Sequence, residues 1–272
     1  MKKKTALLSF ILAAMMLTAC GSSDSSAASK ADNKASESQS ENTESTVNEP
    51  EISDDGTMYA DLSGGMPTNF EASDGWTNGS MFNVFWRATN VTFNDGKMQL
   101  IIDKDPNPQK GIPYSGGEFR SKDFYGYGRY EVSMKAIKNN GVVSSFFTYT
   151  GPSDGNPWDE IDVEILGKDT TKVQFNYFTD SKGNHEYMYD LGFDASEDFH
   201  TFGFEWHKDK IIWLVDGVEV YTATENLPVT ASKIMMNAWC GKGVDNWLKS
   251  FSDENVPLTA EYEWVKFTPF NE

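Results

Sequence analysis

"FHTFGFEWHKDKIIWLVDGVEVYTATE", residues 199–225, decides the fold class. It reads as three strands rich in β-branched and aromatic residues, joined by tight turns at Lys208-Asp209 and Asp216-Gly217. Asp-Gly between apolar runs is a strong hairpin signal. Outward from it the same texture repeats in 97–103, 128–137, 142–150, 160–166, 172–178, 233–239 and 262–270. Helical periodicity is nearly absent, and only residues 244–251 offer a turn or two of helix. Many antiparallel strands in one domain of this size predict an all-β sandwich or jelly roll.

The chain starts differently. "MKKKTALLSFILAAMMLTAC" has a Lys run, a short apolar segment and a small-residue end, the build of a secretory signal and too short to span a membrane. "LTAC" resembles a bacterial lipobox, which would make Cys20 the lipid-modified first residue of an extracytoplasmic protein anchored to the membrane. Residues 21–57, rich in Ser, Glu, Asn and Asp, hold almost nothing to bury and predict a disordered tether. Residues 58–272 form the folded domain, expected to be a monomer. The whole chain carries −18 at pH 7, which argues against nucleic acid as a partner. There are two cysteines; with Cys20 lipidated, Cys240 has no partner and no disulfide is expected.

"PWDEIDVEILG", residues 157–167, gathers four carboxylates into six positions. Ile161, Val163 and Ile165 fall on one strand face and Glu160, Asp162 and Glu164 on the other. Repelling charges in a row contribute nothing to folding. Such a row can be an acid, base and nucleophile set, a cation site or a solvated stripe. Retaining glycosidases bring two carboxyl groups to about 5–5.5 Å, and crowding raises at least one carboxyl pKa, leaving a proton donor near neutral pH. A metal site instead needs oxygens converging from a loop. Aromatics make up 14% of the chain, and Trp76, Trp158, Trp239 and Trp247 lie in polar or Gly-rich surroundings, where exposed rings could stack on sugars. Trp213 in "IIWLV" reads as core.

"DEIDVEILGKDTTKVQFNYF", with "GVVSSFFTYTGPSDG" before it and "KIMMNAWCGKGVDNW" after it, resembles the bacterial lichenases, endo-β-1,3-1,4-glucanases of glycoside hydrolase family 16. The likeness runs from about Asp74 to Phe267. It implies a jelly roll of two curved antiparallel sheets with a substrate cleft across the concave face. It implies Glu160 as nucleophile, Glu164 as general acid and base, and Asp162 as their assistant. It implies cleft contacts from Trp76, Asn78, Glu118, Arg120, Phe147, Trp158, Asn176, Asn237, Trp239 and Trp247. "EIDVE" lacks the extra residue usual in relatives specific for β-1,3-glucan, so the resemblance favours mixed-linkage β-glucan as substrate and no catalytic cofactor.

Departures from the pattern bear on detail. Relatives often carry a disulfide whose cysteines fall at Val84 and Gly116, both absent here. Phe178 and Trp76 stand where tyrosines are common, and Cys240 replaces a polar residue. A structural calcium, frequent in the family, would use the Gly96 carbonyl and Glu263, where relatives have aspartate. Against the mixed-linkage reading stand a laminarinase or transglycosylase on the same fold, and a non-catalytic glucan-binding lipoprotein.

Overall fold

The computed structural model describes residues 47–79 and 81–271. The leader, Cys20 and the tether up to residue 46 lie outside the described residues. Seventeen strands run β1 (Glu51–Ile52), β2 (Met58–Asp61), β3 (Phe70–Ala72), β4 (Val84–Trp86), β5 (Val91–Asn94), β6 (Lys97–Gln109), β7 (Ile112–Ser121), β8 (Gly128–Lys135) and β9 (Val142–Thr150). After them come β10 (Asp159–Leu166), β11 (Lys172–Phe178), β12 (Tyr187–Asp190), β13 (His200–Trp206), β14 (Ile211–Val215), β15 (Val218–Ala223), β16 (Lys233–Cys240) and β17 (Leu258–Pro269). One short helix, α1 (Asp245–Leu248), falls where residues 244–251 predict a turn or two.

The strands form two antiparallel layers, apart from β4, which runs parallel beside the first half of β7. One is ordered β3-β7-β16-β9-β10-β11-β12. The other is ordered β5-β6-β17-β8-β13-β14-β15, with β1 and β2 added along the second half of β17. The long β6 passes into β7 across a corner and links the two. This is the expected jelly roll. The Asp216-Gly217 turn has φ of +48° and +76°, the left-handed pair that a two-residue hairpin joining β14 to β15 requires.

Alternation explains the packing. On β10, Ile161, Val163 and Ile165 are buried against Phe146, Phe175, Phe204 and Trp213, so its aliphatic face belongs to the core between the layers. Trp213 is fully buried, as its setting predicts, and its indole N–H donates to the carbonyl of Asp162 at 3.0 Å. The Tyr262 hydroxyl likewise reaches across to the carbonyl of Ser145 on β9 at 3.0 Å. The second layer thus grips the backbone of the two strands at the middle of the first.

One expectation changes. Residues 47–57, assigned to the tether on composition, are tied into the fold: β1 pairs with β2, and the Asn48 amide donates to the carbonyls of Asp61 at 2.9 Å and Gly65 at 2.7 Å. Polar side chains here serve a turn, which composition alone cannot distinguish from disorder. The parallel pairing of β4 with β7 sets Trp86 opposite Gly116 and still brings Val84 close: a Cβ on Gly116 would lie 3.1 Å from the Val84 Cβ. The side chain of Val84 fills the place of the missing bridge. Cys240 is free and buried, part of the core, and burial pushes its thiol pKa up.

Candidate active site

In an antiparallel pair, residues directly opposite share a face. Each acid of β10 therefore heads a row running across the first layer. Glu164 lies in line with Gln174 on β11, Ser145 on β9, Asn237 on β16 and Glu118 on β7. Asp162 lies in line with Asn176, Phe147, Met235 and Arg120, and Glu160 with Phe178, Tyr149 and Lys233. No register shift interrupts β10 on either side, so the acids keep an unbroken two-residue spacing.

Each acid is held. The Trp158 indole N–H donates to Glu160, and that ring stacks on Phe178, centroids 4.6 Å apart at 15°. Asp162 shares a hydrogen bond with Glu160 in which Glu160 is the favoured anion: the bond lowers the Glu160 pKa and raises that of Asp162. The Gln174 amide donates to Glu164 at 2.7 Å, while its carbonyl accepts from the Trp247 indole at 3.0 Å. Burial is the largest influence on all three and pushes every pKa up. Glu160 rises to about 7 with Asp162 and Trp158 pulling against it. Asp162 stands well above the carboxylate range, burial being reinforced by the charges of Glu160 and Glu164. Glu164 rises to about 8, its burial helped by the Glu160 charge. All three carboxyls are held above the ordinary range, and Glu160, with two donors pulling against burial, gives up its proton before Glu164.

The other expected residues divide into groups. Glu118 is buried and accepts from the Ser73 hydroxyl at 2.7 Å and the Asn237 amide at 3.3 Å. Arg120 instead pairs with Glu71 at 2.8 Å and lies over the Trp76 ring at 5.0 Å. The Asn78 carbonyl accepts from the Trp86 indole at 2.7 Å. Asn176 stands beside Asp162, and its buried Oδ1 has no protein partner among the described residues. Phe147 lies on the acids' face yet is 7% exposed. Trp158 and Trp247 are partly open, whereas Trp239 is only 3% exposed. The expectation of Trp239 as an open ring is corrected: Phe82, 4.1 Å away, and Trp247 cover it. Sequence reasoning missed Gln174 and Tyr149, although each shares a strand face, two residues along, with Asn176 and Phe147.

The calcium expectation meets a different arrangement. Glu263 bulges between Tyr262 and Trp264; its carbonyl accepts from the Leu62 N–H at 2.9 Å and its carboxylate from the Ser133 hydroxyl at 2.6 Å. Calcium takes six to eight oxygens. Gly96 and Glu263 supply few, the Glu263 carbonyl and one of its carboxylate oxygens already accept hydrogen bonds, and among the described residues no group of three or more His, Cys, Asp or Glu converges. The residues present do not fit that ion.

Residues 78–266 match Glycosyl hydrolases family 16. The chain belongs to that family. It is 59% identical over 215 residues to a xylanase/beta-glucanase of Ruminococcus flavefaciens, covering 78% of this chain and 27% of that one. It is 58% identical over 206 residues to a beta-glucanase of Acetivibrio thermocellus, covering 74% of this chain and 61% of that one. The chain thus spans about a quarter and three fifths of these two relatives. A prokaryotic beta-1,3-1,4-glucanase (lichenase) structure derived from a mouse hindgut metagenome superposes with a TM-score of 0.76 at 53% identity, over 79% of this chain and 99% of that one.

A carboxyl with a raised folded-state pKa contributes stability below its unfolded value, and that stability is lost as pH rises through the folded value. For Glu164 the window runs from the ordinary carboxylate range, near about 4.3, to about 8. Glu164→Gln should therefore raise the melting temperature at alkaline pH, with a smaller gain in mildly acidic buffer. A gain independent of pH, read by calorimetry, would show that Glu164 is not buried at the expense of its charge.

Proposed function

We propose that the chain is an endo-acting, anomer-retaining hydrolase of mixed-linkage β-glucan. It would cut β-1,4 bonds that follow a β-1,3-linked glucose. The observation that supports this best is the division of protons along β10: Glu160 accepts from Trp158 and Asp162, while Glu164 is pushed up towards about 8.

In this reading the Glu160 carboxylate attacks the anomeric carbon and forms an ester bond as the bond from that carbon to the leaving oxygen breaks. The leaving oxygen takes the Glu164 proton. Water then attacks the same carbon, gives a proton to Glu164 and frees Glu160, so that two inversions yield net retention. Asp162 stays protonated and holds Glu160 in its ionised form, facing the sugar. The carbonyl oxygen of Asn176, buried and unpaired by protein, suits a sugar hydroxyl beside the reacting bond. The unbroken register of β10 favours the mixed-linkage polymer over pure β-1,3-glucan. No step needs a cofactor.

Reducing-sugar release from barley β-glucan, laminarin and carboxymethyl-cellulose, with Glu160→Gln in parallel, tests the reading. Release from barley glucan alone, lost by at least about a thousandfold in the variant, is expected for removal of a nucleophile. Release mainly from laminarin would contradict the linkage assignment. Polymer binding without release would leave only a glucan-binding protein.

We also read Cys20 as a lipidated residue that tethers the enzyme outside the cytoplasm, on the strength of the Lys run, apolar segment and "LTAC". Among the described residues no helix is long and apolar enough to cross a membrane. Mass spectrometry of the membrane fraction should find acyl chains on Cys20. An unmodified Cys20 would remove the anchor.

A further inference from the structure

The outer face of the second layer carries a feature that the reaction does not use. On β17, Val265 and Phe267 are buried while Trp264 and Lys266 are partly open, so the latter two lie on the outward side, away from the acids of β10. There, an open depression of about 740 Å³ is bounded by Tyr59, Trp264, Lys266, Glu131, Thr201 and Asp216. Its volume falls in the range of small-molecule sites, about 300–1,000 Å³.

Two rings and a set of fixed polar groups define it. The rings of Tyr59 and Trp264 lie 6.0 Å apart at 31°, a shallow V. Cross-strand register sets Lys266 beside Tyr59 on one side and Glu131 on the other. The carboxylates are held in place: Glu131 by Arg129 at 2.7 Å, and Asp216 by the Thr201 N–H and the His200 ring nitrogen, both at 2.9 Å. Held side chains lose little entropy when a ligand arrives.

We propose that this depression is a second saccharide-binding site, taking a neutral β-glucan chain on the face opposite the cleft. The chemistry selects that class. Ring faces match the C–H faces of a pyranose, and carboxylates and an ammonium at the rim match its hydroxyls. Two rim carboxylates, on a chain of net charge −18, disfavour an anionic polymer. The charged rim disfavours a purely apolar ligand, and the open shape admits a chain lying across the sheet. Such a platform would keep the enzyme on the polymer between cuts. The identity of the chain as β-glucan rests on the function proposed above; the platform itself does not.

The test compares migration in native gels with and without barley β-glucan, in the Glu160→Gln background so that the polymer stays intact. Adding Trp264→Ala or Tyr59→Ala should weaken retention roughly three- to tenfold, as expected for loss of about one kcal/mol of ring contact. Trp264→Phe should keep most of it. With Glu160 intact, both alanine variants should retain the parent kcat/KM on a short soluble aryl oligoglucoside, which shows the cleft to be undisturbed. Should Trp264→Ala melt early, Tyr59→Ala, half-buried on the short β2, carries the comparison. Retention equal to the parent in the alanine variants would overturn the site. The two readings fail separately: a parent enzyme that releases no sugar from barley glucan contradicts the cleft chemistry, while retention that depends on Trp264 still reports the platform.

Discussion

Three carboxyl groups share one face of a single strand, Asp162 buried and Glu160 and Glu164 half-buried. Everything around β10 answers that constraint. Ionising all three at once would cost more than the surroundings return, so the charge concentrates where donors are waiting. Trp158 and Asp162 both point donors at Glu160. Glu164 has one amide from Gln174, and Gln174 is oriented in turn by Trp247. The two donors at Glu160, and the charge of Glu160 acting on Glu164, set the two glutamates apart.

The other face of the strand explains why the row stays straight. Ile161, Val163 and Ile165 lock into the core, and the Trp213 indole holds the carbonyl of Asp162 from the layer behind. A one-residue slip would put the acids into that core and the aliphatic side chains into the cleft. Register and chemistry are therefore the same constraint, and the flat pairing with β9 and β11 transmits it to Tyr149, Phe147, Asn176 and Phe178.

Much of this was legible in the sequence because period-two alternation is a local signal. The strands at 142–150 and 172–178 have the expected bounds, and Glu160, Asp162 and Glu164 share a face as the pattern requires. What was illegible depends on long-range pairing. Short edge strands such as β3 and β4 have too few residues to show a period. Residues 51–52 look like tether until β2 is beside them. The partner of Arg120 is Glu71, forty-nine residues away on β3, and nothing in "GGEFRS" points to it. Trp239 reads as an exposed ring because its neighbours are polar or glycine, yet Phe82 arrives from far along the chain to cover it. Glu118 was expected among the cleft contacts, but nothing in its neighbourhood points to the hydroxyl of Ser73 and the amide of Asn237 that permit its burial.

The central claim is that Glu160 is the anion that bonds to sugar while Glu164 handles the proton. A 2-deoxy-2-fluoro glucoside with a reactive leaving group, on a short β-glucan chain, slows the second step and traps the ester. Mass spectrometry of the digested protein should then find the sugar on Glu160 alone. A label on Glu164, or on Asp162, would contradict the assignment of roles along β10.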